Sequence, residues 1–500
     1  MNGPASSALL ILRRPILLGV GARYSDTGLD DHLSHPRGEG VLARAPHTGA
    51  AGGAACGDLI RVSVRVEGDR VADAGFDAKG CAAALGAGSA AVELVAGEPL
   101  RDAALVTPEA IASELGGLSP SSMHAASLAA DALHRALGLA ARDGAAVLPA
   151  ATRRTLVAMS GGVDSAAAAQ LALDAGHDVL AVTLELWSDP GTDGEQSCCS
   201  PQAVTAARAL AHGMGIPHIT LDLRERFREG VVDDYLAGYA SGSTPNPCVR
   251  CNGLVRFDAM LELAGRLGAG KLATGHYARI TDDGEGPLVR AGVDPAKDQS
   301  YVLARLNGDE LARLSFPLGE LEKPRVRELA RSAGLPVADK RESQDLCFLA
   351  GTSGPEFMRR HGDQPAAEGE IVDREGRVLG RHGGHHRFTV GQRRGIGVAA
   401  SEPLYVLAKD ARRNRVVVGA RAELATRTVA ATPSVLHRRP SRAGSVRLRY
   451  AGACIPCSVG GAPGRMRIDL HREVAAPAPG QTACLMDDDV VVGWGTIAGG

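Results

Sequence analysis

The sequence predicts a multidomain protein: a small α+β domain, then an α/β domain on a parallel sheet, then two small β-rich domains of which the last is a β-barrel. Three observations predict it. The chain has 500 residues, too many for a single hydrophobic core. Strand and helix patterns alternate after Thr155, which is typical of parallel βαβ units. Short β segments with glycine and proline turns replace the helices after about Thr352.

The predicted domain boundaries follow changes in composition. Short strands such as "LIRVSVRVEG" and alanine-rich helices such as "AASLAADALHRAL" place the α+β domain at residues 22–140. A stretch rich in alanine, glycine and proline predicts a linker at 141–153. The α/β domain then covers 154–350, the central β-rich domain 351–422 and the barrel 423–499.

Composition points to a globular protein of a reducing compartment. Hydrophobic residues make up 45% of the chain and charged residues 22%, which excludes fibrous and largely disordered classes. The ten cysteines are too dispersed to form the disulfide framework of a small secreted domain. The early apolar run "ALLILRRPILLGV" is broken by Arg13 and Arg14. We therefore expect a cytoplasmic protein without a membrane partner.

The formal net charge of -2 hides an uneven distribution. Residues 351–450 contain 19 Lys and Arg against 9 Asp and Glu, a local charge of +10, which leaves -12 for the rest of the chain. Such a basic block can meet a phosphate backbone. A solvated arginine-rich surface explains the charge equally well.

The hexapeptide "SGGVDS", Ser160–Ser165, predicts a phosphate-binding loop. It follows the apolar strand "TLVAM" and opens a helix, so its amides and serine hydroxyls converge at the positive helix end. No lysine follows the glycines, which excludes the Walker pattern. An isolated serine-capped glycine turn is the alternative. The pattern resembles the ATP pyrophosphatase superfamily, a resemblance that implies a Rossmann-like fold, ATP as cofactor and Mg²⁺ near Asp164.

Three cysteines lie in polar, turn-forming surroundings. Cys248 and Cys251 belong to "TPNPCVRCNG", and Cys347 belongs to "ESQDLCFLAG". Such flanks argue against core packing and favour thiols that act as nucleophiles or sulfur carriers. From these residues alone a metal clip, a disulfide and a catalyst all remain open.

The resemblance becomes specific when the motifs are taken together. The chain carries, in order, "AMSGGVDS", "TPNPCVRCN", "ATGHYAR", "DPAKDQSYVL", "FPLGELEKPRVRELA", "ESQDLCF", "FTVGQRRGIGV" and "VRLRY". From about Thr155 to Ile497 it resembles the bacterial tRNA-specific 2-thiouridylases. The resemblance implies adenylation of the C2 oxygen of a wobble uridine by ATP and its replacement by sulfur from a cysteine persulfide. It also implies two partners: a tRNA of the Glu, Gln or Lys type and a sulfur donor such as a cysteine desulfurase or a sulfur-relay protein.

The same resemblance assigns residues. Cys251 matches the nucleophile and Cys347 the persulfide carrier, and the reaction leaves a disulfide between them. The positions that match the ATP site are Ala158, Met159, Ser160, Gly161, Gly162, Val163, Asp164, Ser165, Leu184 and Gly275. The positions that match tRNA contacts are Asn246, Pro247, Cys248, His276, Lys297, Asp298, Gln299, Arg449, Tyr450 and Gln481.

One departure from the family leaves the mechanism open. Many members have Asp where this chain has Cys248. Cys248, Cys251 and Cys347 could therefore hold three irons of a four-iron cluster that leaves one iron open for sulfide. Alternatively, Cys248 stands beside the base and ligates nothing.

The α+β domain resembles the IscU/NifU type of scaffold on which iron–sulfur clusters are assembled. Cys56, Asp58 and Cys81 match its ligands, and His124 matches the histidine beside its third cysteine, which is Ala125 here. The loss of one thiolate weakens the prediction of a cluster, although Asp or His can replace a ligand. The domain is then an in-chain sulfur or cluster donor, or a relic that docks a desulfurase or stabilises the chain.

Two other functional classes compete with the thiouridylase hypothesis. A different ATP pyrophosphatase, such as an amidotransferase-type ligase, would not need Cys251, Cys347 or the basic β domains. A non-catalytic iron–sulfur scaffold with an inert ATP domain would not consume ATP in the presence of tRNA.

Overall fold

The computed structural model describes residues 28–40, 42, 45, 47–52, 57–189, 200–341, 346–349, 351–362, 367–462 and 464–499. The chain divides into two compact units. One contains the residues up to Val147 together with Ala209–Ile219, and the other contains Leu148–Arg208 and Thr220–Gly500. Among the helices in these ranges, none is long and apolar enough to cross a bilayer.

The amino-terminal part is an antiparallel sheet covered by helices. Its elements are α1 (Leu29–Ser34), β1 (His47–Gly52), β2 (Leu59–Glu67), β3 (Arg70–Lys79), α2 (Ala82–Glu93), α3 (Leu100–Ala103), α4 (Pro108–Glu114) and α5 (Met123–Arg142). The sheet order is β1-β2-β3. Helix α5 buries its alanine-rich face, and Gly49 of β1 permits a close approach, since a Cβ there would lie 2.0 Å from the Ala132 carbonyl oxygen.

A parallel sheet forms the centre of the α/β domain. The first elements of this part are β4 (Ala151–Ala158), α6 (Val163–Asp174), β5 (Asp178–Glu185), α7 (Pro201–Gly213), β6 (His218–Asp222), α8 (Arg224–Phe227), α9 (Asp233–Ala240), α10 (Pro247–Cys251) and α11 (Phe257–Arg266). The later ones are β7 (Ala269–Thr274), β8 (Ala278–Asp282), β9 (Pro287–Ala291), α12 (Gly308–Arg313), β10 (Leu314–Ser315), α13 (Lys323–Ser332) and α14 (Gly354–His361). The five-stranded sheet has the order β10-β7-β4-β5-β6. All but the first residue of β5 are buried, as expected for a strand covered on both faces.

The central β-rich domain is a four-stranded sheet. Its strands are β11 (Gly369–Val372), β12 (Val378–His382), β13 (Tyr405–Asp410) and β14 (Arg415–Gly419), in the order β12-β11-β14-β13. Alternating residues of the strands point into a small core formed by Ile371, Val406, Val416 and Val418 together with Phe388.

The last domain is a closed six-stranded barrel. Its strands are β15 (Ala425–Leu436), β16 (Ser445–Arg447), β17 (Ile455–Ala462), β18 (Arg465–Ala475), β19 (Thr482–Asp487) and β20 (Val490–Ile497). They follow the order β15-β18-β17-β16-β19-β20, and pairing of β15 with β20 closes the barrel. The predicted fold class, an α+β domain followed by a parallel α/β domain and two β-rich domains ending in a barrel, is therefore confirmed.

The barrel is joined to the α/β domain by a hairpin that the sequence did not indicate. Strands β8 and β9 form this hairpin, and β9 pairs with β20 at Arg290 and Val490. Asp489 accepts hydrogen bonds from Arg290 at 2.7 Å and from Arg279 at 2.9 Å. The hairpin and these ion pairs make the barrel a fixed neighbour of the α/β domain.

Candidate active site

The predicted phosphate loop connects β4 to α6. The hydroxyl of Ser165 accepts a hydrogen bond from the Ser160 N–H at 3.1 Å and donates one to the Gly162 carbonyl at 3.0 Å. Gly162 is the N-cap of α6, so the amides of the first helical turn lie next to the loop. The serine contacts therefore shape the loop around the positive end of a helix dipole.

Two glycines give the loop its conformation. Gly161 has a φ of +69°, a left-handed backbone that side chains disfavour. Gly275, just after β7, lies so close to α6 that a Cβ would be 2.8 Å from the Asp164 carbonyl carbon and from the Ser165 nitrogen. A side chain at position 275 would displace the start of α6.

The other residues predicted for the ATP site support the loop. Ala158 is the last residue of β4 and partly buried. Met159, Val163 and Leu184 are all buried, and the Thr183 hydroxyl donates to the Met159 carbonyl at 2.7 Å. These side chains form the hydrophobic base of the loop.

Asp164, which the sequence placed near Mg²⁺, is held by a lysine. The Lys323 ammonium lies 2.7 and 2.8 Å from the two carboxylate oxygens, and the Tyr277 hydroxyl donates to one of them at 2.8 Å. The Lys323 side chain is only 9% exposed. The chain therefore places a largely buried cation beside the first turn of α6.

A second lysine contacts the loop directly. The Lys340 ammonium donates to the Gly161 carbonyl at 3.0 Å. Arg327 of α13 fixes this segment by donating to the carbonyls of Ala338 at 2.7 Å and Lys340 at 3.2 Å. Sequence analysis missed both lysines because they follow their partners by 159 and 179 residues. The sequence signal that could have pointed to Lys323 is its position inside the motif "FPLGELEKPRVRELA".

Cys248 and Cys251 lie on the short helix α10. The Asn246 side chain caps this helix by accepting from the Val249 N–H at 3.2 Å, and Pro247 fills its first position. Cys248 is exposed, whereas Cys251 is only 6% exposed. The polar flanks predicted an accessible thiol, which is wrong for Cys251, because it lies one helical turn after buried Pro247 and shares its face.

Cys347 is partly exposed and is positioned by its neighbour Phe348. The Phe348 ring is buried among aromatic side chains, with centroids 5.1 Å from Tyr235, 5.0 Å from Phe357 and 6.0 Å from Phe227. These rings anchor the segment that carries Cys347 to α8, α9 and α14.

Several residues predicted to contact tRNA converge from different segments. Tyr450 is 47% exposed, and Arg449 beside it is exposed too. Burial, followed by the nearby Asp298 and Cys248, raises the pKa of the Tyr450 hydroxyl, while Lys297 opposes that rise. The Tyr450 ring lies 6.2 Å from the ring of Tyr301, so the segment after β16 meets the segment after β9. The exposed and partly exposed residues around this meeting point are called here the convergence surface: Cys248, Lys297, Arg449 and Tyr450.

Two residues of the predicted tRNA set, Asp298 and Gln299, are engaged within the protein. Asp298 accepts from Arg447 and from the Ser300 hydroxyl, both at 2.8 Å. Gln299 accepts from the Tyr277 N–H at 2.9 Å. Asp298 thus links the α/β domain to the barrel, and Gln299 fixes the residue that holds Asp164.

His276 is a neutral imidazole. Its ring lies between Phe257 and Phe316, with centroid distances of 5.7 and 6.1 Å, and its Nδ1 is 2.8 Å from the Thr274 hydroxyl. Burial lowers its pKa to about 3. It can exchange neutral hydrogen bonds with a base but does not provide a cation for phosphate.

The predicted scaffold ligands meet in the amino-terminal unit. Nε2 of His124 is 2.9 Å from the Asp58 carboxylate, which also accepts from the Cys81 thiol at 3.4 Å. These three ligand atoms lie within 4.8 Å of one another. Cys56 lies outside the described residues, and Ala125 is fully buried in α5.

The hydrogen bonds of His124 define its ligand atom. Nδ1 lies 2.8 Å from the Ser121 carbonyl oxygen, which only accepts, so Nδ1 carries a proton and Nε2 faces Asp58. The hydrogen bond to Asp58 raises the pKa of His124, and the same bond lowers the pKa of Asp58. An imidazole fixed at Nδ1 in this way is oriented to bind a cation through Nε2.

A second group with three candidate ligands occurs in the described part of this unit: His32, Glu93 and Glu114. Arg37 already lies 3.0 Å from Glu93. One of its three candidate ligands is therefore already paired with a cation of the chain.

Comparison with known proteins covers almost the whole chain. Family models match residues 23–141 (NifU-like N terminal domain), 153–351 (tRNA methyl transferase HUP domain), 356–420 (tRNA methyl transferase PRC-barrel domain) and 427–497 (aminomethyltransferase beta-barrel domain). A bifunctional protein NifU/MnmA of Rubrobacter xylanophilus is 45% identical over 481 residues, which are 94% of this chain and 97% of that protein. The tRNA-specific 2-thiouridylases MnmA of Geobacter metallireducens and Chloroflexus aurantiacus are 42% and 44% identical, over 69% of this chain and 97% and 98% of theirs. The chain belongs to the MnmA family of tRNA-specific 2-thiouridylases, in the form that carries a NifU-like domain at its amino end.

Proposed function

We propose that this protein catalyses ATP-dependent 2-thiolation of the wobble uridine of tRNA, yielding 2-thiouridine, AMP and pyrophosphate. The observation that carries the proposal is the convergence surface, which groups Cys248 of α10 with Tyr450 of the barrel and Lys297 of the α/β domain. The Tyr450 ring lies 6.2 Å from Tyr301, and Arg447 donates to Asp298 at 2.8 Å. Family membership supports the same reaction. A target nucleoside that meets this surface would lie next to the helix that carries Cys251.

Adenylation is assigned to the phosphate loop. The C2 oxygen of uridine attacks the α-phosphate of ATP, and pyrophosphate leaves. The loop amides at the start of α6, with the ammonium groups of Lys323 and Lys340, would bind the phosphate oxygens. Asp164 supplies a carboxylate of the kind that Mg²⁺ prefers, and the ion, when bound, neutralises phosphate charge.

Sulfur transfer is assigned to Cys251 and Cys347. The Cys251 thiolate attacks the Cys347 sulfur that is bonded to carbon, so the persulfide S–S bond breaks and hydrosulfide leaves with the electron pair. A disulfide forms between the two cysteines, and hydrosulfide adds to C2 of the adenylated uridine while AMP leaves with the oxygen. A dithiol or other two-electron reductant then reopens the disulfide.

A cluster is the alternative sulfur donor for the same reaction. Cys248 and Cys251 lie within one turn of α10, and thiolates are the usual ligands of iron–sulfur clusters. In this alternative these two cysteines and Cys347 hold three irons, and the cluster supplies an open iron for sulfide. An anaerobic preparation distinguishes the two mechanisms, because Cys248→Asp would lose iron and activity together only in the second.

The NifU-like domain is proposed to bind a metal through Asp58, Cys81 and His124. A carboxylate, a thiolate and an imidazole form a donor set typical of zinc, and Nδ1 of His124 is already fixed by Ser121. The domain would then deliver sulfur or a cluster within the chain, or dock a cysteine desulfurase that does so.

Replacement of either cysteine by serine tests the proposed function. We expect Cys251→Ser and Cys347→Ser to abolish 2-thiouridine formation, because each removes one thiol of the transfer, while the affinity for tRNA changes less than about twofold. Cys484→Ser is the matched control, since that thiol is fully buried in the barrel.

The assay measures AMP release and 2-thiouridine in purified wobble-uridine tRNA. Sulfur transfer at the normal rate by either variant would contradict the two-cysteine mechanism. AMP release that does not depend on tRNA would favour a different ATP pyrophosphatase, and the lack of any ATP consumption would favour a non-catalytic scaffold.

A further inference from the structure

The loop that leads into α10 is held by the barrel. Thr244 donates its N–H to the Pro479 carbonyl at 2.7 Å, and the Gln481 side-chain amide donates to the carbonyls of Thr244 at 2.9 Å and Pro245 at 3.5 Å. The loop groups in these bonds are the Thr244 N–H and the carbonyls of Thr244 and Pro245, and all of them lie within four residues of Cys248. The segment Pro479–Thr482, which leads from the β18–β19 connection into the first residue of β19, is called here the barrel clamp. It binds the backbone that leads into the cysteine helix α10.

Gly480 lets the barrel clamp approach the backbone of the loop, because it has no side chain. Gly480 has a φ of +90°, and a Cβ there would lie 2.9 Å from the Thr244 carbonyl group. The clamp is itself fixed to β20, since the Gly480 N–H donates to the Ile497 carbonyl and the Ile497 N–H donates to the Gln481 carbonyl, both at 2.8 Å. The closed barrel therefore fixes the position of the loop through the clamp.

A buried tyrosine ties the same clamp to the helix cap. The Tyr301 hydroxyl donates to the Thr482 carbonyl at 2.9 Å. Burial raises the pKa of Tyr301, and the nearby Asn246 side chain opposes that rise. Asn246 is the N-cap of α10. On the other side of the loop Pro245 packs on Gly238 of α9, where a Cβ would lie 2.1 Å from the proline ring.

We propose that the barrel clamp positions the cysteine helix for sulfur transfer, and that Gln481 is a positioning residue of the reaction. This inference rests on the proposed function and goes beyond a tRNA contact at Gln481, because both of its recorded side-chain hydrogen bonds are to the loop. When a reacting group is misplaced by about 1 Å, the reaction slows on the order of 100-fold. By holding the loop, the barrel clamp can therefore set the reactivity of Cys251.

Gln481→Met tests the inference because it keeps size and neutrality but removes the donor. We expect kcat for thiolation to fall roughly 10- to 100-fold while the Kd for tRNA and the KM for ATP stay within about twofold. Without tRNA or ATP present, the rate at which an alkylating reagent modifies Cys251 should also change. Gly480→Ala should have a larger effect of the same kind, and Ser458→Ala, on β17 beside His471, is the matched barrel control.

The result that would overturn the inference is a weaker Kd for tRNA in Gln481→Met with unchanged kcat and unchanged alkylation of Cys251, which would make Gln481 a tRNA ligand only. Unchanged values throughout would overturn it too. Alkylation needs no turnover, so it separates this inference from the proposed function: wild-type protein that does not thiolate tRNA contradicts the function alone.

Discussion

The carboxylate of Asp164, a residue of the motif "SGGVDS", is bound by a lysine from outside that motif. This lysine is Lys323 at the start of α13, and Lys340 holds the neighbouring Gly161 carbonyl. The loop has no lysine of its own after its glycines, so charge for an anion comes from a distant part of the chain. In the proposed adenylation step, both ammonium groups would exchange a protein oxygen for a phosphate oxygen.

Lys323→Met and Lys340→Met should therefore weaken binding of ATP and of pyrophosphate. A hydrogen bond to a charged group contributes enough for a loss of roughly 10- to 100-fold in each variant. Binding of AMP, which lacks the β and γ phosphates, should change little. Isothermal titration with pyrophosphate, ATP and AMP checks this expectation.

Lys271→Met is the matched control, because Lys271 also donates to a backbone carbonyl, that of Ala312, outside the loop. If the two loop variants lost AMP and pyrophosphate binding to the same extent, the lysines would be supports of the loop and not ligands of phosphate.

At the scale of elements, the segments that local patterns assigned to strands and helices have those structures, whereas the contacts between elements were not predictable. The βαβ alternation, the strand before "SGGVDS" and the helix after it follow from periodicity. The pairing of β9 with β20 joins residues about 200 positions apart, and no local pattern encodes it. Asp298 and Gln481 were assigned to tRNA by resemblance, and their bonds to Arg447 and Thr244 became visible only in three dimensions.

One lysine of strand β13 binds the backbone at the start of the loop that leads into α10. The Lys409 ammonium donates to the carbonyls of Phe388 at 2.9 Å and Ser243 at 3.2 Å and lies 5.6 Å from the Tyr239 ring. Burial lowers its pKa to about 8 from 10.5. Since the unfolded chain keeps this proton up to the higher pH, the folded state gains stability from this group as pH rises from about 8 to about 10.5.

Lys409→Met should remove that gain. The free energy of unfolding of the wild type, minus that of the variant, should increase with pH by at most about 1.4 kcal/mol per pH unit in this window. Urea denaturation at pH values of about 8, 9 and 10 measures the difference. A difference that is constant with pH would show that Lys409 is protonated equally in both states.

At the scale of the whole molecule, one chain joins a NifU-like domain to an MnmA-type tRNA sulfurtransferase. The covalent link gives the two domains a fixed stoichiometry and raises the effective concentration of any group that passes between them. The charge distribution is compatible with this division, because residues 351–450 carry +10 while the remainder carries -12, and such a basic block would attract polyanionic tRNA.

The metal site proposed for the NifU-like domain is the decisive test of that division. Full-length protein purified with zinc should retain metal, and His124→Ala and Cys81→Ser should each lower the retained metal by roughly 10-fold or more, since each removes one of three converging ligands. His35→Ala, which replaces an exposed histidine of the same unit, is the matched control.

Metal content is measured by mass spectrometry. Thiolation is measured in parallel with two sulfur sources, free sulfide and a cysteine desulfurase. An in-chain donor predicts that the two variants lose thiolation only with the desulfurase, because free sulfide bypasses the domain. Equal metal content in all variants would contradict the assigned ligands, and equal thiolation with both sources would leave the domain a structural role.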